Sequence, residues 1–260
     1  MNNFLVLVKK EMKESARNGK WIWLPVVLMI IGISQPLTSY YMPQILEAAG
    51  NLPDGAVIDI PTPTGEEVLI GVLSQYGTIG TLLFVLAMMG VIAQERQNGS
   101  LTLVMVRPVR AFQYIGSKFT AQLAILLVSL VASYMLTWYY TNLLFSSVSW
   151  TLMLSSLVVY SLWVVFIVAV TILAGTLLKS NGGIAGVSVL FLAVISLLTT
   201  LFPKYMEWSP GNIRGQASIL LLEGEWVRSV WIVVGSTVGL SILFFLLAVF
   251  MFKRFESYHG

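Results

Sequence analysis

The chain contains no cysteine. That excludes a disulfide framework, a thiolate metal site and a cysteine nucleophile. It has one histidine, His259, beside the C-terminal residue, where it reads as a solvated tail residue. Charge is scarce too. Fifteen Lys+Arg and twelve Asp+Glu make up 10% of 260 residues, against about 25% in soluble domains. So few charges cannot cover the surface of a dissolved domain of this size. A disordered chain would be polar and poor in aromatics, whereas 57% of these residues are hydrophobic and 12% aromatic. The composition that remains is that of an integral membrane protein.

Six apolar runs satisfy the requirement of about 20 residues for a membrane-crossing helix. They are Trp21–Tyr41, Val68–Ala93, Phe119–Phe145, Thr151–Leu178, Gly183–Phe202 and Ser229–Phe252, and none contains Lys, Arg, Asp or Glu. The expected fold is therefore all-α, with six transmembrane helices occupying residues 21–260. Trp and Tyr gather at the run ends, including Trp21, Trp23, Tyr40, Tyr41, Trp150, Trp226 and Trp231, as expected at headgroup depth.

The basic residues set the orientation. Twelve of the fifteen fall in alternate segments: Lys9 to Lys20, Arg96 to Lys118, Lys179, and Lys253 with Arg254. Only Lys204, Arg214 and Arg228 lie on the other side, and the first loop there carries five acids and no base. The positive-inside rule then places both termini in the cytoplasm. Cleavage after the first run would reverse Lys253 and Arg254, so that run is expected to be retained. Residues 1–20 form an expected cytoplasmic amphipathic helix, with Leu5, Val8, Met12 and Ala16 at helical spacing and Lys9, Lys10, Lys13, Glu14 and Arg17 on other faces. Such a helix lies in the membrane interface.

The segment after the second run, residues 94–118, carries the most information. Glu95-Arg96 ends the helix, Asn98-Gly99 is a turn signal, Leu101 to Val106 is apolar, and Pro108 breaks the chain before a helix beginning near Ala111. The pattern Glu95, Gly99-Ser100, Pro108-Val109, Arg110, Lys118 resembles that of ABC-2 type transporter permeases. It departs from the family in having Ser100 for Thr, and in lacking the residue between Val109 and Arg110. The resemblance extends to the six-span layout, the N-terminal helix with Glu11 and Arg17, and the acidic first outer loop.

This resemblance implies the permease subunit of an ATP-driven exporter in the cytoplasmic membrane. It further implies pairing with a second permease subunit and with a cytoplasmic ABC ATPase, alternating access, and coupling through Glu95, Gly99, Pro108 and Arg110. The chain itself has no G-x-x-x-x-G-K-[ST] phosphate loop. No enzymatic activity, metal or cofactor is expected of it, and ATP and Mg belong to the partner; nucleic acid is not an expected partner. Gly182 and Gly186, and Gly235 and Gly239, have the G-x-x-x-G spacing of close helix packing or dimer contacts. A short apolar piece, Ala217–Leu222, is too short to cross and reads as a re-entrant or interfacial helix.

The runs hold uncharged polar residues, among them Gln75, Gln122, Asn142, Ser155, Ser156, Ser161, Thr171 and Ser196. Their absence of charge argues against an ion-coupled carrier and hints at an amphipathic or lipid-like substrate. The alternatives are a membrane anchor or sensor that recruits a soluble partner, and a secondary transporter.

Overall fold

In a computed structural model the described residues are 3–48, 62–101 and 109–256. Among them every regular element is helical. The order is α1 (Asn3–Arg17), α2 (Lys20–Ala48), α3 (Gly65–Gln75), a π turn at Tyr76–Gly80, α4 (Thr81–Met88), α5 (Gly90–Gln97), α6 (Ala111–Leu144), α7 (Trp150–Leu177), α8 (Asn181–Leu201), α9 (Ile213–Glu223) and α10 (Arg228–Glu256). The stretch from α3 to α5 is one span, so six helices are long and apolar enough to cross a membrane. Each extends beyond its apolar run at one end or both, and the bundle therefore carries Lys20, Glu95, Arg96 and Lys118 on helix ends rather than in loops.

Local chemistry sets the ends. Thr64 and Glu67 form a reciprocal capping box at the start of α3, and Ser149 and Ser180 accept from the first turns of α7 and α8. Pro25, Pro36 and Pro43 sit inside α2, which membrane helices tolerate because neighbouring groups satisfy the freed carbonyls.

Burial is uneven. Span four, α7, is 72% buried over its most apolar window, whereas spans one and six are 22% buried and span five 28%. Thus α7 is the central post, packed by α10, α9 and α6, while α2 lies chiefly against α6. Lipid is as apolar as leucine, so shedding lipid contacts drives little of this packing; close fit and interhelical hydrogen bonds drive it. Ser133 Oγ donates to the Leu28 carbonyl at 2.6 Å and also bonds Tyr76 Oη, tying α2, α6 and span two together. Trp163 Nε1 donates to Thr81 Oγ1 at 2.9 Å, holding α7 to the residue just past the π turn. Most of the other span hydroxyls bond their own helix: Ser155, Ser161 and Thr171 all donate to carbonyls three or four residues back. Gln75, Gln122 and Ser156 do reach other helices, through Ser34, Lys20 and Tyr134.

In α1 the buried residues are polar, Glu11 and Ser15, whereas Leu5 is 63% exposed and Met12 packs partly against the core. Apolar side chains of an interfacial helix favour lipid, and a carboxylate needs a partner inside. Arg214, in the connection between spans five and six, lies on α9 with its side chain against Gly77 in the π turn.

The core is tight at Gly32, where an added Cβ would collide with Thr137, Tyr76 and Ser133. Among the described residues nothing lies within 4 Å of an added Cβ at Gly182. Gly32→Val should lower stability by about 1–3 kcal/mol through overpacking, while Gly182→Ala should leave thermal unfolding in detergent nearly unchanged. Equal melting of the two variants would contradict this packing.

Candidate functional site

Four helices meet at the end of the bundle where most basic residues lie. On α6, Tyr114 and Lys118 are one turn apart and share a face. On α1, Glu11 faces the same place, and Glu95 arrives from the last turn of α5. Lys118 is 1% exposed and Glu11 and Glu95 are each 5% exposed. Lys118 Nζ donates to Glu11 Oε1 at 3.0 Å and to the Val91 carbonyl at 2.8 Å, and pairs with Glu95 Oε1 at 3.1 Å. An ammonium has three donors, and all three are used.

Glu95 is equally occupied. Its Oε1 also accepts from Lys10, and its Oε2 accepts from the Tyr114 hydroxyl. Tyr114 in turn stacks on Phe252 of α10 at 4.8 Å, and Lys118 Nζ lies 5.0 Å from the Tyr114 ring centre. The carboxylates of Glu11, Glu14 and Glu95 come close enough together to hold a cation, but Lys10 and Lys118 already lie among them. Burial alone would lower the Lys10 pKa. Its bond to Glu95 and the charges of Glu11, Glu95 and Glu14 outweigh that and raise it above the ordinary 10.5. The contribution of Lys10 to holding α1 is therefore complete below 10.5 and fades only as pH rises through the raised value.

The next residues grip the other side. Arg96 donates from Nη1 to the carbonyls of Gly175 at 3.0 Å and Leu178 at 3.2 Å, and from Nη2 to Thr176 at 3.0 Å. Gln97 Nε2 donates to the Lys179 carbonyl at 3.0 Å. These are the orphan carbonyls at the end of α7, where a cation is also favoured by the helix dipole. Three consecutive residues thus bind span two to α1, α6 and α7.

The helix then stops at Gly99, whose φ of +68° is left-handed and suits glycine. Arg110 stands exposed at the start of α6. Gly99 and Arg110 therefore flank residues 102–108, while Glu95 is drawn into the buried cluster. Pro108 lies outside the described residues. Lys118 and Glu11 stand apart in the sequence, their contact spans 107 positions, and no local pattern encodes it. The one available hint was an acid at position 11 flanked by apolar turns. At Gly182, Gly186, Gly235 and Gly239 nothing from another helix among the described residues lies within 4 Å of an added Cβ, so these four glycines mark no close helix approach among them.

Lys118→Met would leave Glu11 and Glu95 buried against each other. It should cost about 3–5 kcal/mol, read as thermal unfolding in detergent. Adding Glu11→Gln and Glu95→Gln should recover much of the loss. A single variant as stable as the wild type would mean that Lys118 is not the keystone described.

Comparison with known proteins agrees with this organisation. The chain is 42% identical over 262 residues to the uncharacterized transmembrane protein YxlG of Bacillus subtilis (strain 168), an alignment covering 99% of this chain and 100% of that protein. Residues 5–219 match the family described as ABC-2 family transporter protein. That match takes in α1, the buried charge cluster and the first five spans, and the chain is a multi-pass membrane protein that belongs to the ABC-2 transporter family.

Proposed function

We propose that the chain is the permease subunit of an ATP-driven exporter. It resides in the cytoplasmic membrane with both termini in the cytoplasm, and it pairs with a second permease subunit and with separate ATPase subunits that hold ATP and Mg. The observation that carries this reading is the double anchorage of the segment between spans two and three. Its start is fixed by Glu95 to α1 and α6, and by Arg96 to the end of α7. Arg110 at its far end is free for a partner surface.

A push from a soluble ATPase on residues 98–110 would be passed to three helices together. Buried ion pairs resist shear, because separating them without water leaves uncompensated charge. Alternating access then follows as a rocking of the two bundles. Each Gly99, Arg110 and Pro108 side of the segment meets the ATPase, and Glu95 acts behind it as the anchor. Loss of the exposed Arg110 charge should spare the fold. In the complex purified from detergent, Arg110→Glu should reduce ATPase co-purification or ATP hydrolysis by at least about tenfold. Unchanged recovery and hydrolysis would sink the coupling role, and a stoichiometric partner without a phosphate loop would favour a recruiting anchor.

Pairing of two permeases is supported by the open glycine faces of α8 and α10 and by the low burial of spans five and six. The native chain has no cysteine, so one engineered thiol is a clean reporter. Gly186→Cys should form a disulfide-linked dimer on mild oxidation in native membranes. A persistent monomer at that position would remove span five from the interface.

A further inference from the structure

The buried charge cluster fixes the rotation of α1 about its own axis. Glu11 is bonded to Lys118 on α6, Ser15 beside it is buried, and the Phe4 ring lies against Gly116, 3.4 Å from an added Cβ. From Phe4 to Glu11 the helix α1 advances about 10 Å, whereas α6 advances about 3 Å from Gly116 to Lys118. α1 therefore crosses α6 instead of running along it. Its other end is tied to the membrane. Gly19, at a φ of +68°, stops α1, and span one begins at the next residue, Lys20. A helix that crosses one span and ends where another begins lies close to the membrane plane.

The fixed rotation decides what each flank meets. At 3.6 residues per turn, the order around α1 from the buried Glu11 runs through Ser15, Met12, Leu5 and Ala16 to Lys9, Lys13 and Arg17. Met12 packs partly on the core, and Leu5 and Ala16 are exposed. Lys9, Lys13 and Arg17 are all exposed as well. They recur every fourth residue and form one ridge about 12 Å long. Among the described residues none of the three forms an ion pair. The acids of α1 are engaged elsewhere, Glu11 with Lys118 and Glu14 with Lys10. Like charges four residues apart destabilise a helix, so α1 carries a repulsion that only an outside anion can relieve.

We propose that the ridge Lys9–Lys13–Arg17 binds the phosphates of anionic phospholipid, with Leu5 and Ala16 among the acyl chains, and that this lipid holds α1 down on Lys118. A row of anionic headgroups supplies the missing counter-charge. The apolar flank beside the ridge calls for a bilayer, since an acidic protein surface or a nucleic acid would leave Leu5 and Ala16 in water. Through Lys118 the helix α1 is joined to Glu95, so the charge of the leaflet sets how firmly the start of the segment after span two is anchored. As a statement about coupling, this rests on the permease reading above; as a lipid site, it does not.

The native chain has no cysteine, so Ala16→Cys carrying an environment-sensitive dye reports on this flank alone. The labelled full chain, in nonionic detergent, is titrated with phosphatidylglycerol or with phosphatidylcholine. No ATPase is present, so failure of the permease reading leaves the result untouched. Phosphatidylglycerol should give a saturable dye response and raise the unfolding temperature, and phosphatidylcholine should give neither. An anionic surface favours each nearby cation by about fivefold. Lys9→Gln with Lys13→Gln and Arg17→Gln should therefore raise the half-saturating phosphatidylglycerol by at least about tenfold. The charge-preserving set Lys9→Arg, Lys13→Arg and Arg17→Lys should titrate as the wild type does, which separates charge from helix packing. Lys204→Gln with Arg228→Gln, near the opposite ends of the spans, should do so too. Equal responses to the two lipids, or a wild-type titration by the glutamine set, would overturn the ridge as an anionic-lipid site. Heparin giving the full response without lipid would overturn the bilayer as its partner. A dye response with no rise in unfolding temperature would overturn the hold on Lys118.

Discussion

A single ammonium group organises one end of this bundle. Lys118 distributes its three protons to Glu11, Glu95 and the carbonyl of Val91, so α1, span two and α6 share one point of attachment. Removing such a charge from water is costly, and the arrangement stands only because every proton and both buried carboxylates are matched. Geometry is thereby fixed in a way that apolar packing in lipid cannot fix it, because hydrocarbon side chains slide past lipid tails at little cost. The position of α1, the end of span two and the path into α6 all follow from that attachment. Arg96 extends the same logic to α7.

Much of the architecture was legible in the residues. Six apolar runs free of charge predict six spans, since about 30 Å of hydrocarbon admits little else, and the Asn98-Gly99 stop falls where a left-handed residue is needed. The short piece Ala217–Leu222 lies within the helix α9. Local pattern could not supply long-range pairing. Glu11 and Lys118 look like ordinary flanking charges until the fold brings them together. Nor could it show that α1 turns its carboxylate inward and Leu5 outward, because amphipathic spacing reveals two faces without saying which medium each one meets. Arg214 is a related case, since its contact with Gly77 joins residues far apart in the chain and no local pattern encodes it.

The glycines divide into two populations that spacing alone does not separate. Gly32, Gly77 and Gly211 each mark a close approach inside the subunit, to α6, to Arg214 and to α8 respectively. The two G-x-x-x-G pairs, more conspicuous in the sequence, closely approach no other helix among the described residues. In a membrane protein the motif with the clearer signature is here the one facing outward.

The π turn at Tyr76–Gly80 sits between the two hydrogen-bonded anchors of span two, Tyr76 to Ser133 and Thr81 to Trp163. A π turn holds one residue more than the α turn it replaces. The two halves of span two therefore differ in phase by one residue, and a single repeating pattern does not run through both. A relative one residue shorter between Tyr76 and Gly80 would keep each half against its present neighbours, with a plain α-helix at the join. In this span, a one-residue gap in an alignment is compatible with an unchanged fold above and below it.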